Sequence, residues 1–126
     1  MSAPPQTFAD RIVVEFPVSD GFRNVGRLVL GGLASRFELP IDRVEDLLLA
    51  VESLFQHELA SDSALLEAEA SGAGLVVRLG PFTAPPLDDA GAARVVTRLV
   101  DEAVQEPNGE GTRVRLLMSA AYRGHG

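Results

Sequence analysis

Residues 64–79 constrain the fold more than any other stretch of this chain. ALLEAEA and LVVRL are two short strand-like strings separated only by Ser71-Gly72-Ala73-Gly74. A turn this short, with two glycines, joins its flanking strands as a hairpin. Strands joined so closely run antiparallel. An antiparallel sheet with one apolar face needs a second layer to cover it.

The helical patterns upstream supply that layer. Residues 41–60 (IDRVEDLLLAVESLFQHELA) read as one long amphipathic helix. Val44, Leu47, Leu48, Val51, Leu54 and Phe55 recur at helical spacing and predict its buried face. Asp46, Ala50, Ser53 and His57 fall on a second, polar stripe. Before it, residues 21–37 form another predicted helix, capped by Ser19 or Asp20, with Phe22, Val25, Val29, Leu33 and Phe37 inward. Gly26, Gly31 and Gly32 make this helix thin. Each glycine costs about 1 kcal/mol in a helix interior, so a closely packed neighbour is one compensation and a locally weak helix the other.

Strands are expected at residues 11–16 (RIVVEF) and 112–120 (TRVRLLMSA), and a third helix at residues 87–104 with Val95, Val96, Leu99, Val100 and Ala103 inward. Residues 80–86 (GPFTAPP) read as a stiff loop. The expected fold is α+β: a two-layer sandwich of a mixed, mostly antiparallel sheet with helices on one face. One domain spans residues 1–126, with a loose arm at 1–8 and a loose tail at 121–126.

Composition narrows the function. The net charge is -7, which disfavours nucleic acid as a partner. All eleven basic residues are Arg, and the absence of Lys excludes a P-loop or a Schiff-base lysine. With no Cys there is no disulfide, thiol nucleophile or cysteine metal site. Two His, at 57 and 125, are too few for a metal motif. No apolar run reaches membrane-spanning length and MSAPPQT has no signal-peptide pattern, so a soluble cytoplasmic protein is expected.

Several strings, taken in order, resemble the histidine-kinase-like (GHKL) ATPase superfamily, and within it the small bacterial anti-sigma-factor serine kinases. They are FRNVGRLVLGGLA in the first helix, EDLLLAVES in the central helix, LVVRLG in the hairpin and TRLVDEAVQEPNGEGTRVRLLM near the end. The resemblance runs from Arg11 to about Met118. It implies a central helix carrying Glu and Asn one turn apart, the Asn holding the magnesium of Mg-ATP and the Glu orienting the attacking group.

This chain departs from that pattern at each nucleotide element. Aligned on AVES, Ser53 stands where the Glu belongs and His57 where the Asn belongs. Serine is no carboxylate base, and Mg²⁺ prefers oxygen to imidazole. Aligned on LVVRLG, the family's Asp-x-Gly-x-Gly falls on Arg78, Gly80 and Phe82, so the adenine-binding Asp has become a cation. The lid's Gly-x-Gly falls on Ala90-Gly91-Ala92. Gly111-Thr112 is similar to the family's closing glycine-threonine element.

The resemblance therefore implies a degenerate regulatory module. It would bind a protein, such as a sigma factor or an anti-sigma antagonist, with no cofactor and no catalytic residue, Ser53 and His57 being vestigial. The competing expectation is an active Mg-ATP-dependent serine kinase with His57 as base and Glu52 or Asp46 on the metal. A third is an unrelated small ligand; a filled pocket would favour protein binding and an open one a ligand. Plain structural roles are also available. His57 could be a histidine bonded to a neighbour, Ser53 a small packing residue, Arg78 a surface charge and Phe82 core or a plug. The family position of Arg27, with Arg23 a turn before it, implies an outward-reaching contact for an acidic protein partner. The first strand and thin helix imply a homodimer surface.

Overall fold

The computed structural model describes residues 11–17, 22–71 and 74–119. The elements run β1 (Arg11–Pro17), α1 (Phe22–Arg36), α2 (Ile41–Leu54), β2 (Ser63–Ser71) and β3 (Gly74–Phe82). A 3₁₀ turn (Pro86–Asp88), α3 (Ala90–Leu99), β4 (Glu102–Asn108) and β5 (Gly111–Ser119) follow. The predicted arm, tail and cap at Ser19 or Asp20 lie outside the described residues, as do the side chains of Phe22, Arg23, Val25 and Leu33.

The protein is α+β. Five strands form one sheet in the order β1-β2-β3-β5-β4. Every pairing is antiparallel, so the expected mixed sheet is corrected to a fully antiparallel one. Strand alternation assigns the two faces. Leu66 pairs with Leu79, and Val77 with Leu116, on the buried face. These residues share one core with Leu30 of α1, Leu47 and Leu54 of α2 and Val96 of α3. The three helices thus lie over a single sheet face, compatible with a two-layer sandwich. Among the described residues no helix is long and apolar enough to cross a membrane.

The central helix is shorter than its apolar periodicity predicts. It stops at Leu54, and Phe55 is its C-cap. The chain beyond exchanges helical hydrogen bonds for sheet-like ones: Ala60 N–H donates to the Pro81 carbonyl at 2.8 Å and Thr83 N–H to the Glu58 carbonyl at 3.0 Å. The segment read as a loop after Gly80 instead continues β3 through Phe82.

The predicted third helix is three things. Residues 86–88 make the 3₁₀ turn, α3 covers ten residues, and the remainder is an extra strand. Val100 is already extended, with φ -120 and ψ 163. Asp101 N–H then donates to the Leu117 carbonyl at 2.9 Å, which begins pairing with β5. Among the described side chains of α1, Leu30 is buried, at 2% exposure, and Val29 only partly, as is Phe37 just past the helix end. No neighbour packs on Gly31 or Gly32, since a Cβ at either would meet nothing within 4 Å. Of the two expectations for that helix, local weakness fits these two glycines.

Candidate functional site

The site is built where the end of α2 meets the start of α3. Asp89 caps α3, its carboxylate accepting from the Gly91 N–H at 3.0 Å. The cap leaves a second carboxylate oxygen facing α2, and His57 Nε2 lies 3.4 Å from it. His57 Nδ1 lies 3.2 Å from the Leu54 carbonyl oxygen. Both ring nitrogens therefore face an acceptor, at distances toward the long end for hydrogen bonds. Hydrogen bonds from the Gly91 N–H, from His57 and from the Ala92 N–H hold the Asp89 carboxyl below its usual range.

A shallow open groove of about 460 Å³ runs between the two helices, with Ser53, His57, Asp89 and Gly91 along it and Leu49 and Val95 on its walls. Glu52 also lines it, and its carboxylate is gripped by the guanidinium of Arg27 on α1. Arg27 does reach the surface, as expected, but it is not free: Glu52 already holds its fork. On the other side of His57 a second open depression, of about 610 Å³, is bordered by Phe55, Glu58 and Asp62.

Three of the sequence-derived site residues, Ser53, His57 and Gly91, thus share one groove. Four others form a separate packed cluster at the β3–β5 junction. There the register shifts between Leu79 and Phe82, and Phe82 pairs with Thr112. Phe82 is fully buried with its ring centroid 5.9 Å from that of Phe55. Gly80 has φ +143, and a Cβ there would sit 3.0 Å from the Thr112 carbonyl oxygen. Gly111 has φ +154, and a Cβ there would collide with the Phe82 carbonyl.

Arg78 lies apart from both groups, on the sheet face opposite the helices. Strand alternation puts it beside Glu67 and Arg115. Its charge is absorbed by Glu69 at 3.3 Å, Glu106 at 3.7 Å and Glu67 at 3.8 Å. Glu106 also meets Arg115 at 3.2 Å, so one carboxylate separates two facing arginines. Glu67 is the hub of this lattice, accepting from Arg11 at 2.8 Å and Arg113 at 3.0 Å with its side chain only 9% exposed. Burial pushes the Glu67 carboxyl up, but the hydrogen bonds from Arg11 and Arg113 outweigh it and the net displacement is downward.

Sequence reasoning missed Asp89 as the partner of His57. The signal was present: an Asp directly before a helical AGAAR string is a cap. It was hidden because the helix was started at Leu87. The Glu67 hub and the partly buried pair of Arg43 and Asp101, 58 positions apart, had no local signal. Among the described residues no group of three or more His, Asp or Glu is placed to hold a metal ion. No protein-family model matches the chain, and no curated protein matches it.

Proposed function

We propose that the chain is a regulatory protein-binding module on a histidine-kinase-like ATPase fold, without nucleotide turnover, whose partner is a protein such as a sigma factor or an anti-sigma antagonist. The strand–helix–helix–hairpin–helix order of β1 to α3 supports the fold half of this reading. One observation carries the functional half: the groove's two carboxylates and its histidine are already engaged by the protein itself. Glu52 is held by Arg27, and Asp89 by the Gly91 N–H and His57.

Mg-ATP does not fit this donor set. Magnesium takes oxygens in near-octahedral geometry, and the groove's carboxylates would have to give up their present partners to reach it. The competing kinase reading needs His57 as a base, yet each of its ring nitrogens already faces an acceptor, the Leu54 carbonyl oxygen or Asp89 Oδ2. Phe82 fills the interior where that reading places a glycine, and the two depressions beside His57 are open surface grooves. By the filled-or-open criterion the buried Phe82 favours protein binding and the two open grooves favour a ligand. The reading rests on the grooves being too open to enclose a small molecule, whereas an exposed groove can take a protein segment.

The experiment is an incubation of purified protein with radiolabelled Mg-ATP, following both phosphate release and label transfer to added protein. The expected result is background for each. Turnover above background that disappears in His57→Ala would restore the kinase reading.

A further inference from the structure

We infer that the groove between α2 and α3 is a docking site for a basic amphipathic helix of a partner protein. The inference rests on the protein-binding reading above and names the chemistry of the partner. Apolar exposure comes first. Leu49 is 51% exposed and Val95 45%, and both line this one groove. Ile41, at 71%, lies on the same helix as Leu49. At about 100° per residue, Ile41, Glu45, Leu49 and Glu52 fall within roughly 80° of arc on α2. The outward stripe of α2 is therefore apolar and acidic in alternation. Helix-in-groove recognition reads such a stripe through apolar anchors spaced a turn apart.

Charge selects the partner. On the open sheet face, four arginines of β1, β3 and β5 are ion-paired to four glutamates, Glu67, Glu69, Glu102 and Glu106, with Glu15 of β1 beside them. The remaining described charges lie on the helix side and its ends, where acids outnumber arginines. Among them Glu38, Asp42, Glu45, Glu58, Asp62 and Asp88 are exposed. None forms an ion pair with another described residue. Arg43, the cation of α2, is turned inward to Asp101 at 2.5 Å. Arg94 and Arg98 are exposed on α3 and set one edge of the acidic region. An acidic surface of this kind attracts a cationic segment and repels an anionic one. The groove thus offers the apolar anchors Leu49 and Val95, with the unpaired Glu45 on its α2 side and Arg94 and Arg98 on α3. It complements a helix with leucines on one face and arginines on the border that meets α2.

The test uses two synthetic helical peptides read by fluorescence anisotropy: one with leucine and arginine faces, the other with glutamate replacing each arginine. The protein is compared as wild type, as the double variant Leu49→Ser, Val95→Ser, and as Val13→Ser. The double variant leaves net charge unchanged and alters only exposed side chains; circular dichroism verifies its fold. The basic peptide is expected to bind wild type and Val13→Ser alike, and the double variant about tenfold or more weaker. The acidic peptide is expected not to bind. Equal binding to the double variant, equal binding of the acidic peptide, or no binding at all overturns the site. So does a wild-type dimer that the double variant converts to monomer, since the groove would then be filled by a second copy. Parallel calorimetry with Mg-ATP separates this from the underlying reading: saturable nucleotide binding refutes the module, whatever the peptides do.

Discussion

His57 Nε2 stands 3.4 Å from Asp89 Oδ2, joining the turn after α2 to the first residue before α3. The same Asp89 carboxylate caps α3 through its other oxygen. One side chain therefore fixes both the start of a helix and the orientation of the ring that a nucleotide enzyme would need free.

Asp89→Ala removes the cap and the His57 contact together. Its melting temperature is expected to fall by a few degrees below that of Asp89→Asn, which keeps an oxygen for the Gly91 N–H. Calorimetric melting at neutral pH checks this. Equal melting of the two variants would show that the cap contributes nothing.

Glu67 gives a pH signature. Its folded-state carboxyl lies below the ordinary value of 4.5. The stabilisation is therefore fully present above that pH and is lost as pH falls through the lowered value. Glu67→Gln leaves Arg11 and Arg113 without their anion and is expected to cost roughly 1–3 kcal/mol at pH 7. Urea denaturation should show the gap from wild type shrinking below about pH 4.5. A gap constant from pH 7 to pH 3 would mean that the lattice on the open sheet face does not contribute.

Gly111 and Gly109 sit two residues apart and predict opposite outcomes. An Ala at Gly111 must hold φ +154 and meets the Phe82 carbonyl, whereas a Cβ at Gly109 meets nothing within 4 Å. Gly111→Ala is expected to lose about 1–3 kcal/mol, and Gly109→Ala to stay near wild type. Chemical denaturation of both variants decides it; comparable stabilities would contradict the close approach of β3 and β5 at this point.

The legible part of the fold was the local part. LVVRL alternates, so the inward Leu75, Val77 and Leu79 and the outward Val76 and Arg78 follow from period two. Most of the apolar face of α2 was equally readable, with Val44, Leu47, Leu48, Val51 and Leu54 all buried. But Phe55, expected inward, is only half-buried at the C-cap, and Ala50, expected on the polar stripe, is fully buried. EAVQ was not, because Val96, Leu99, Val100 and Ala103 fit a continuing helix as well as a strand. Pairing with β5, a distant partner, decides the matter. The residues after Leu54 were misread for the same reason, since the bridge of Leu59 to Phe82 is set by tertiary contact. At the site, Ser53 and His57 share a groove as expected, but His57 reaches it from the turn after Leu54 and not by helical spacing, while Arg27 meets Glu52 from a separate helix 25 positions away. Periodicity within one helix carries no information about such a pair.

The central claim is that nucleotide has no place in this protein, and thermal melting in millimolar Mg-ATP tests it most directly. A ligand that binds only the native state stabilises it by RT ln(1 + [L]/Kd), about 2.7 kcal/mol at a hundredfold excess over Kd. Such a gain would raise the melting temperature by several degrees. The account predicts a melting temperature unmoved from that in buffer with magnesium alone. A dose-dependent rise that saturates, and that His57→Ala abolishes, would contradict it.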